Sequence, residues 1–340
     1  MVTIKDVARV AKVSPSTVSR VVRGQGKVGK KCRAKVQKVI DDLGYIPNLS
    51  ARALVNRRTE LIGVVTPDLF MPFFGSIAHG AEIAAREAGY QIMMRNSQDD
   101  PKLEAEAVNS LREHGCQNII LHSKWADAET LKTYAKQIPG FVLINRFEPD
   151  LATRSVWLDN VAGGRMIAEH LYKNGHRDIA IIGSPIDNQD LQDRISGIRQ
   201  GLQTKGLDLP DENIIYHNPV QDNGEEHAIN AVAKLYQRNI KFTAIVTYND
   251  VMAIRVLNAL YDSGKQVPAD VSVMGFDNLN LASICRPGLT TVEYPIIEMA
   301  KYATKLSLEL TNEDNDEIQR THLFMPKVVE RKSVGSIDQT

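Results

Sequence analysis

The stretch TIKDVARVAKVSPSTVSRVV (residues 3–22) leaves few folds open. Thr3, three residues ahead of Asp6, reads as a capping box that starts a helix from Ile4 to about Ala11, with Val7, Ala8 and Ala11 on its apolar face. Lys12 and Val13 leave room only for a tight turn. Ser14 is then a good N-cap, and Pro15 sits at the first helical position, where its missing N–H costs nothing. The second helix, Pro15 to Val22, turns Val18, Val21 and Val22 inward and Ser16, Thr17, Ser19, Arg20 and Arg23 outward. Two short helices joined by a tight turn, the second polar and cationic on its free face, match what a duplex major groove accepts.

Charge points to the same partner. A third helix from about Lys31 to Leu43 completes the module, and the loop before it carries Lys27 and Lys30. Residues 1–60 hold 14 Lys plus Arg against 4 Asp plus Glu, so the formal neutrality of all 340 residues hides a basic head on an acidic body. A solvated lysine-rich surface is the plainer reading, but here the charge coincides with the helix-turn-helix pattern and points to phosphate contacts. The segment 47–59 then reads as a short hinge helix and linker. It is too short to be stable alone and is suited to ordering on DNA.

From Leu61 the rhythm changes. Continuous apolar runs such as LIGVV (61–65) alternate with segments of helical spacing, which implies parallel sheets covered on both faces. The plan runs twice. It predicts a first lobe of about 60–160 plus 291–320, and a second of about 161–290 plus 321–331. Two doubly wound lobes leave a cleft beside the carboxyl ends of their strands. Met71 to Phe74, Asn145-Arg146, Asp193-Arg194, Asn249-Asp250 and Phe276-Asp277 all fall near those ends, and rings beside Arg, Asn and Asp suit a small polyhydroxyl ligand. Taken singly, Asp193-Arg194 also reads as a surface ion pair, and Phe276 as a core aromatic.

No catalytic set, phosphate loop, metal-like histidine cluster or cofactor motif stands out. His122 reads equally as a ligand contact or a satisfied loop histidine, and Gly163-Gly164 as close helix packing rather than a phosphate cradle. Three scattered cysteines, with neither an 18-residue apolar run nor a signal-peptide pattern, lead to the expectation of a cytoplasmic protein.

The order of the head motif, GYIPNLSARAL (44–54), LIGVV, PFF, LINR, DR, YND and GFDN resembles the lactose/galactose repressor family of bacterial transcription regulators. LHSK (121–124) and PGFVLINR (139–146) bring it nearest the galactose repressor and isorepressor branch. The resemblance implies an all-α head and hinge helix (domains 1–46 and 47–59) before a two-lobed α/β core (60–340) like a periplasmic binding protein. It implies a non-enzymatic, allosteric homodimeric repressor that binds a near-palindromic operator under control of a small carbohydrate, galactose or a relative. Matched by motif, Thr3, Ser14, Pro15, Ser16, Thr17, Ser19, Arg20 and Arg23 face DNA. Asn48, Ala51 and Leu54 belong to the hinge, with Leu54 as the wedge between base steps. Phe73, Arg146, Asp159, Arg194, Asn249 and Asp277 match effector-contacting positions. Met71 stands where relatives commonly place Asp or Asn, so the effector's identity stays open. A non-sugar effector such as a nucleoside, a plain solute-binding protein and a sugar-processing enzyme on the same lobes are the competing readings.

Overall fold

The structure is a computed structural model, and it describes residues 2–22, 24, 26, 28–45, 59–184, 188–216, 226–311 and 322–337. It divides into two compact units, Met1–Glu60 and Leu61–Thr340.

The first unit holds α1 (Ile4–Ala11), α2 (Pro15–Val22) and α3 (Lys30–Leu43). Thr3 and Asp6 form the capping box at the start of α1, and Lys12 ends that helix in the left-handed region at φ 53°. Gly44 closes α3 in the same region at φ 60°, where a side chain would be strained. The three helices close over a small apolar core of Val7, Ala8, Ala11, Val18, Val21 and Val36.

The second unit contains two six-stranded sheets. In the first, β1 (Leu61–Thr66), β2 (Gln91–Asn96), β3 (Asn118–Leu121), β4 (Gly140–Ile144), β5 (Ser155–Leu158) and β11 (His322–Phe324) lie in the order β11-β5-β4-β3-β1-β2. All neighbours in it are parallel. In the second, β6 (Ile179–Ile182), β7 (Ile214–Ile215), β8 (Ala244–Thr247), β9 (Ser272–Asp277), β10 (Thr290–Glu293) and β12 (Lys327–Val329) follow the same plan, β12-β10-β9-β8-β6-β7. Its pairings are parallel except that β12 runs antiparallel to β10. Strand order reverses between β1 and β3 and again between β6 and β8, and at such a reversal the loops at the strand carboxyl ends part and leave a crevice.

The α-helices described in this unit are α4 (Pro72–Glu87), α5 (Pro101–Glu113), α6 (Ala128–Gln137), α7 (Asn160–Lys173), α8 (Gln189–Gln203), α9 (Glu226–Gln237), α10 (Asp250–Asp262), α11 (Asn280–Ile284) and α12 (Ile296–Glu309). None of the described helices is long and apolar enough to cross a membrane.

The tail differs from expectation at two points. Thr291–Glu293 stays in the second sheet through β10, so the return to the first lobe comes at Tyr294-Pro295 rather than near 290. From there α12 packs on the first lobe. The Asn118 side-chain amide donates to the Ser307 carbonyl at 2.7 Å, and Gly80 lies so close to Ile297 that a Cβ there would meet its carbonyl oxygen at 2.4 Å. His322–Phe324 was expected in the second lobe, but pairs with β5 in the first; only Lys327–Val329 joins the second. Each stretch is three residues, one polar and two apolar, so their composition does not say which sheet edge takes them. One apolar core runs through both lobes, from Ile62 and Ile144 to Ile181 and Phe276, so the two form one packed body.

Candidate functional site

On the head, Val18 and Val21 are buried, and that orientation of α2 exposes Ser14, Pro15, Ser16 and Arg20, with Thr17 and Ser19 half-buried. The Ser14 hydroxyl joins those of Ser16 at 2.7 Å and Thr17 at 2.9 Å, and accepts the Thr17 N–H at 3.2 Å. A row of hydroxyls therefore stands at the amino end of α2, where orphan N–H groups already favour phosphate. Thr3 is exposed but committed to its cap: its hydroxyl and N–H donate to the Asp6 carboxylate at 2.7 and 3.0 Å, which holds that carboxyl below the usual range. Arg23, Asn48, Ala51 and Leu54 lie outside the described residues.

In the core, the cleft centres on Arg194, buried on α8. Its Nε donates to the Asn160 Oδ1 at 2.8 Å and its Nη1 to the Tyr248 carbonyl at 2.6 Å. The guanidinium carbon lies 3.6 Å from the centroid of the Phe276 ring and 5.0 Å from that of Tyr248. The Asp193-Arg194 pair is thus no surface ion pair: Asp193 accepts from Gln189 at 2.7 Å, while Arg194 turns inward. Phe276 is both a core aromatic and the floor under the cation.

Two carboxylates stand near this guanidinium. Asp190 accepts from Asn160 at 3.2 Å and, across the lobes, from Asn145 at 3.3 Å. Asp277 ends β9, buried, and no hydrogen bond engages its carboxylate among the described residues. Desolvation drives both carboxyls upward, Asp277 far more, and the positive charge of Arg194 opposes it. Rings line the remainder. Phe73, in the first turn of α4, makes edge contacts with Phe74 and with Tyr294, at centroid distances of 5.4 and 5.1 Å.

Three further atoms are poised there. Thr66 Oγ1 at the end of β1, His122 Nδ1 just after β3 and the Tyr294 hydroxyl just after β10 are buried with no hydrogen-bond partner; Trp157 Nε1 is the other such atom among the described residues. His122 is therefore half satisfied: Nε2 meets the Asn145 amide at 2.9 Å, and burial, reinforced by nearby Lys124, pushes its pKa down to about 3. The imidazole is neutral at physiological pH.

The other motif-matched residues are engaged differently. Arg146 donates to the Ala126 carbonyl at 2.8 Å and lies 3.5 Å from Glu148, which ties its fork to the loop after β3. Asp159 caps α7 by accepting the Ala162 N–H at 2.7 Å, and its neighbour Asn160 enters the Arg194 cluster. Asn249 caps α10, accepting the Met252 N–H at 2.9 Å. Gly163 and Gly164 are close packing, as read from sequence: a Cβ on Gly164 would meet the Arg194 carbonyl oxygen at 2.1 Å, and one on Gly163 the Phe276 ring at 2.9 Å.

Residues 3–48 match the family model described as bacterial regulatory proteins, lacI family, and residues 168–334 match that of a periplasmic binding protein-like domain. The chain is 36% identical over 337 residues to the HTH-type transcriptional regulator GalR of Escherichia coli, covering 99% of this chain and 96% of that one. The chain belongs to the lacI family of bacterial regulatory proteins. To GalS of Salmonella typhimurium this lacI-family member is 39% identical, covering 98% of its own length and 97% of that protein. The lac repressor dimer bound to operator and the anti-inducer ONPF superposes with a TM-score of 0.86 at 25% identity, covering 98% and 99% of the two chains. The protein is a helix-turn-helix transcriptional regulator with a two-lobed core.

Sequence reasoning missed Asn160, Asp190, Tyr248 and Tyr294 as members of this regulator's cleft. Tyr248 adjoins the Asn249 that was singled out, and Tyr294 sits where the chain crosses between lobes. Asp190 and Asn160 occupy first turns of helices, where polar residues are expected simply as helix starters.

Proposed function

We propose that this regulator is a sequence-specific repressor whose operator affinity is set by a small sugar, galactose or a related one, in control of carbohydrate uptake or catabolism genes. The observation that carries the reading is the Arg194 cluster. A guanidinium locked by Asn160 and Tyr248, over Phe276 and beside the Asp277 carboxylate, offers donor, acceptor and stacking ring together. A sugar presents hydroxyls to the polar groups and an apolar ring face to the aromatics. Phe73, Arg146, Asp159 and Asn249 complete the effector set, and Thr3, Ser14, Pro15, Ser16, Thr17, Ser19, Arg20, Arg23, Asn48, Ala51 and Leu54 the DNA set. The relatives named GalR and GalS support the sugar assignment, as does a structural neighbour, the regulator CelR in complex with cellobiose, at TM-score 0.71 and 26% identity.

The action is linkage. The protein works as a cytoplasmic homodimer without catalysis, in domains 1–46, 47–59 and 60–340. Lobe closure sets whether the two heads and hinges engage a near-palindromic operator together. The sugar shifts that balance only by its differential affinity for the two closure states. The test is a titration of the full-length protein on DNA upstream of its own gene at constant salt, with and without D-galactose. Specific binding that weakens with D-galactose supports the whole reading. Specific binding unmoved by D-galactose, other hexoses and β-glucosides, but shifted by a nucleoside, replaces the sugar while keeping the regulator.

A further inference from the structure

The end of β9 leaves the backbone conformations that side chains favour. Asp277 has φ 111°, a positive value costly for any residue but glycine, and Asn278 follows at φ 55°, in the left-handed region that asparagine tolerates better than most side chains. Such a turn persists only where its surroundings hold it, and here the grip is explicit. Asp250, fully buried at the start of α10, accepts the Leu279 N–H on Oδ2 at 2.7 Å and the Thr291 hydroxyl on Oδ1 at 2.5 Å. Arg331, beyond β12, donates to the Asn278 side-chain oxygen at 2.7 Å and to the Leu289 carbonyl at 2.8 Å. The Tyr294 N–H donates to the Asp277 carbonyl at 3.2 Å. Asp250 reaches the turn because residue 275 is glycine: a Cβ there would lie 2.4 Å from Oδ1.

Asp250 is an expensive residue to bury. Desolvation raises its carboxyl to about 7, against the hydrogen bonds from Thr291 and Leu279 and the charge of Arg331. An apolar side chain would fill the space at less cost, but could not hold the Leu279 N–H.

We propose that Asp250, oriented by Thr291 and seconded by Arg331, is a positioning residue for the effector: it keeps the Asp277–Asn278 turn left-handed so that the Asp277 carboxylate stands beside Arg194. The proposal rests on the sugar reading above. It also gives the C-terminal segment a part in ligand recognition, because Arg331 holds the side chain next to Asp277.

The test uses the full-length protein and D-galactose. Calorimetric affinity is compared for Thr291→Val, which removes the hydroxyl but keeps the shape, and Thr291→Ser, which keeps the hydroxyl but loses a methyl. Positioning predicts about tenfold weaker D-galactose binding in Thr291→Val and a change under about twofold in Thr291→Ser. It also predicts that the difference between the two vanishes in an Asp277→Asn background. Operator affinity without sugar stays unchanged in both. A purely packing role predicts the reverse order, with Thr291→Ser the worse variant, and that order overturns the proposal. So does a loss of operator affinity that parallels the loss of sugar affinity. Should wild-type protein itself bind neither D-galactose nor another sugar, the sugar reading fails first and carries the proposal with it.

Discussion

Gly164→Ala tests how α7 and α8 deliver Arg194 to the cleft. A Cβ at Gly164 would sit 2.1 Å from the Arg194 carbonyl oxygen, 2.8 Å from the Ile198 nitrogen and 2.9 Å from the Gly197 Cα. Van der Waals contact needs roughly 3.5 Å, so the helices must part locally by over about 1 Å. The clashing atoms are backbone and cannot rotate away, which puts the cost near the upper end of the about 1–3 kcal/mol typical of overpacking. Alanine's better helix propensity returns about 1 kcal/mol, leaving a net loss of about 2 kcal/mol. Because α8 also carries Asp190 and Arg194, the same displacement lowers sugar affinity. Urea denaturation followed by far-ultraviolet dichroism measures the first effect and a sugar titration the second. Gly75→Ala is the internal control: it lies in α4 with nothing within 4 Å of the added carbon, so it gains stability by up to about 1 kcal/mol. Equal stability gains for the two variants would refute the close apposition of α7 and α8.

Arg194→Lys keeps the charge but loses the fork that grips Asn160 and Tyr248, so on the proposed sugar reading the D-galactose response should fall at least about tenfold while sugar-free operator binding holds; parallel loss of both in a folded protein argues against this division of labour. Arg20→Ala should weaken operator binding and flatten its logarithmic salt dependence by about one unit, as the loss of one phosphate contact requires, and an unchanged slope would remove Arg20 from the interface. His122, held neutral down to about pH 3, binds its proton more readily in the unfolded chain, whose ordinary value is 6.5. Its contribution to stability is therefore complete above pH 6.5 and is lost as pH falls toward 3, at about 1.4 kcal/mol per pH unit where only the unfolded state is protonated. His122→Gln should flatten stability between pH 6 and 4, and identical slopes in the two proteins would show that another group dominates.

Wherever a signal lies within one turn or one strand, the primary structure is sufficient. The Thr3–Asp6 cap, Pro15 after Ser14, the period of Val18 and Val21, and the unbroken run of β1 each report a local preference that the tertiary structure leaves intact. The glycine pair at 163–164 was legible because a helix start without side chains has few uses besides close approach. Positions near strand ends were legible too, because in parallel sheets the carboxyl ends are where loops converge.

What the chain alone could not decide is where side chains of similar composition are spent. Arg146 and Arg194 both follow a polar residue, yet Arg146, just past β4, donates to the Ala126 carbonyl, while Arg194, inside α8, donates to the Tyr248 carbonyl. Asp159 and Asp190 both start helices, but only Asp190 meets the Asn145 amide across the lobes. His322–Phe324 and Lys327–Val329 are two short neighbouring strands, and they close different sheets. The amino-acid sequence by itself determined most of the helices and strands, the basic head and the doubled α/β plan, because periodicity, capping and charge act over a few residues; the short helix Asn280–Ile284 gave no such signal. Only the tertiary structure decided which groups meet at the cleft and which sheet takes each tail strand, because those contacts join residues as far apart as Arg194 and Tyr248, or Val156 and His322, whose meeting depends on how whole sheets and helices pack.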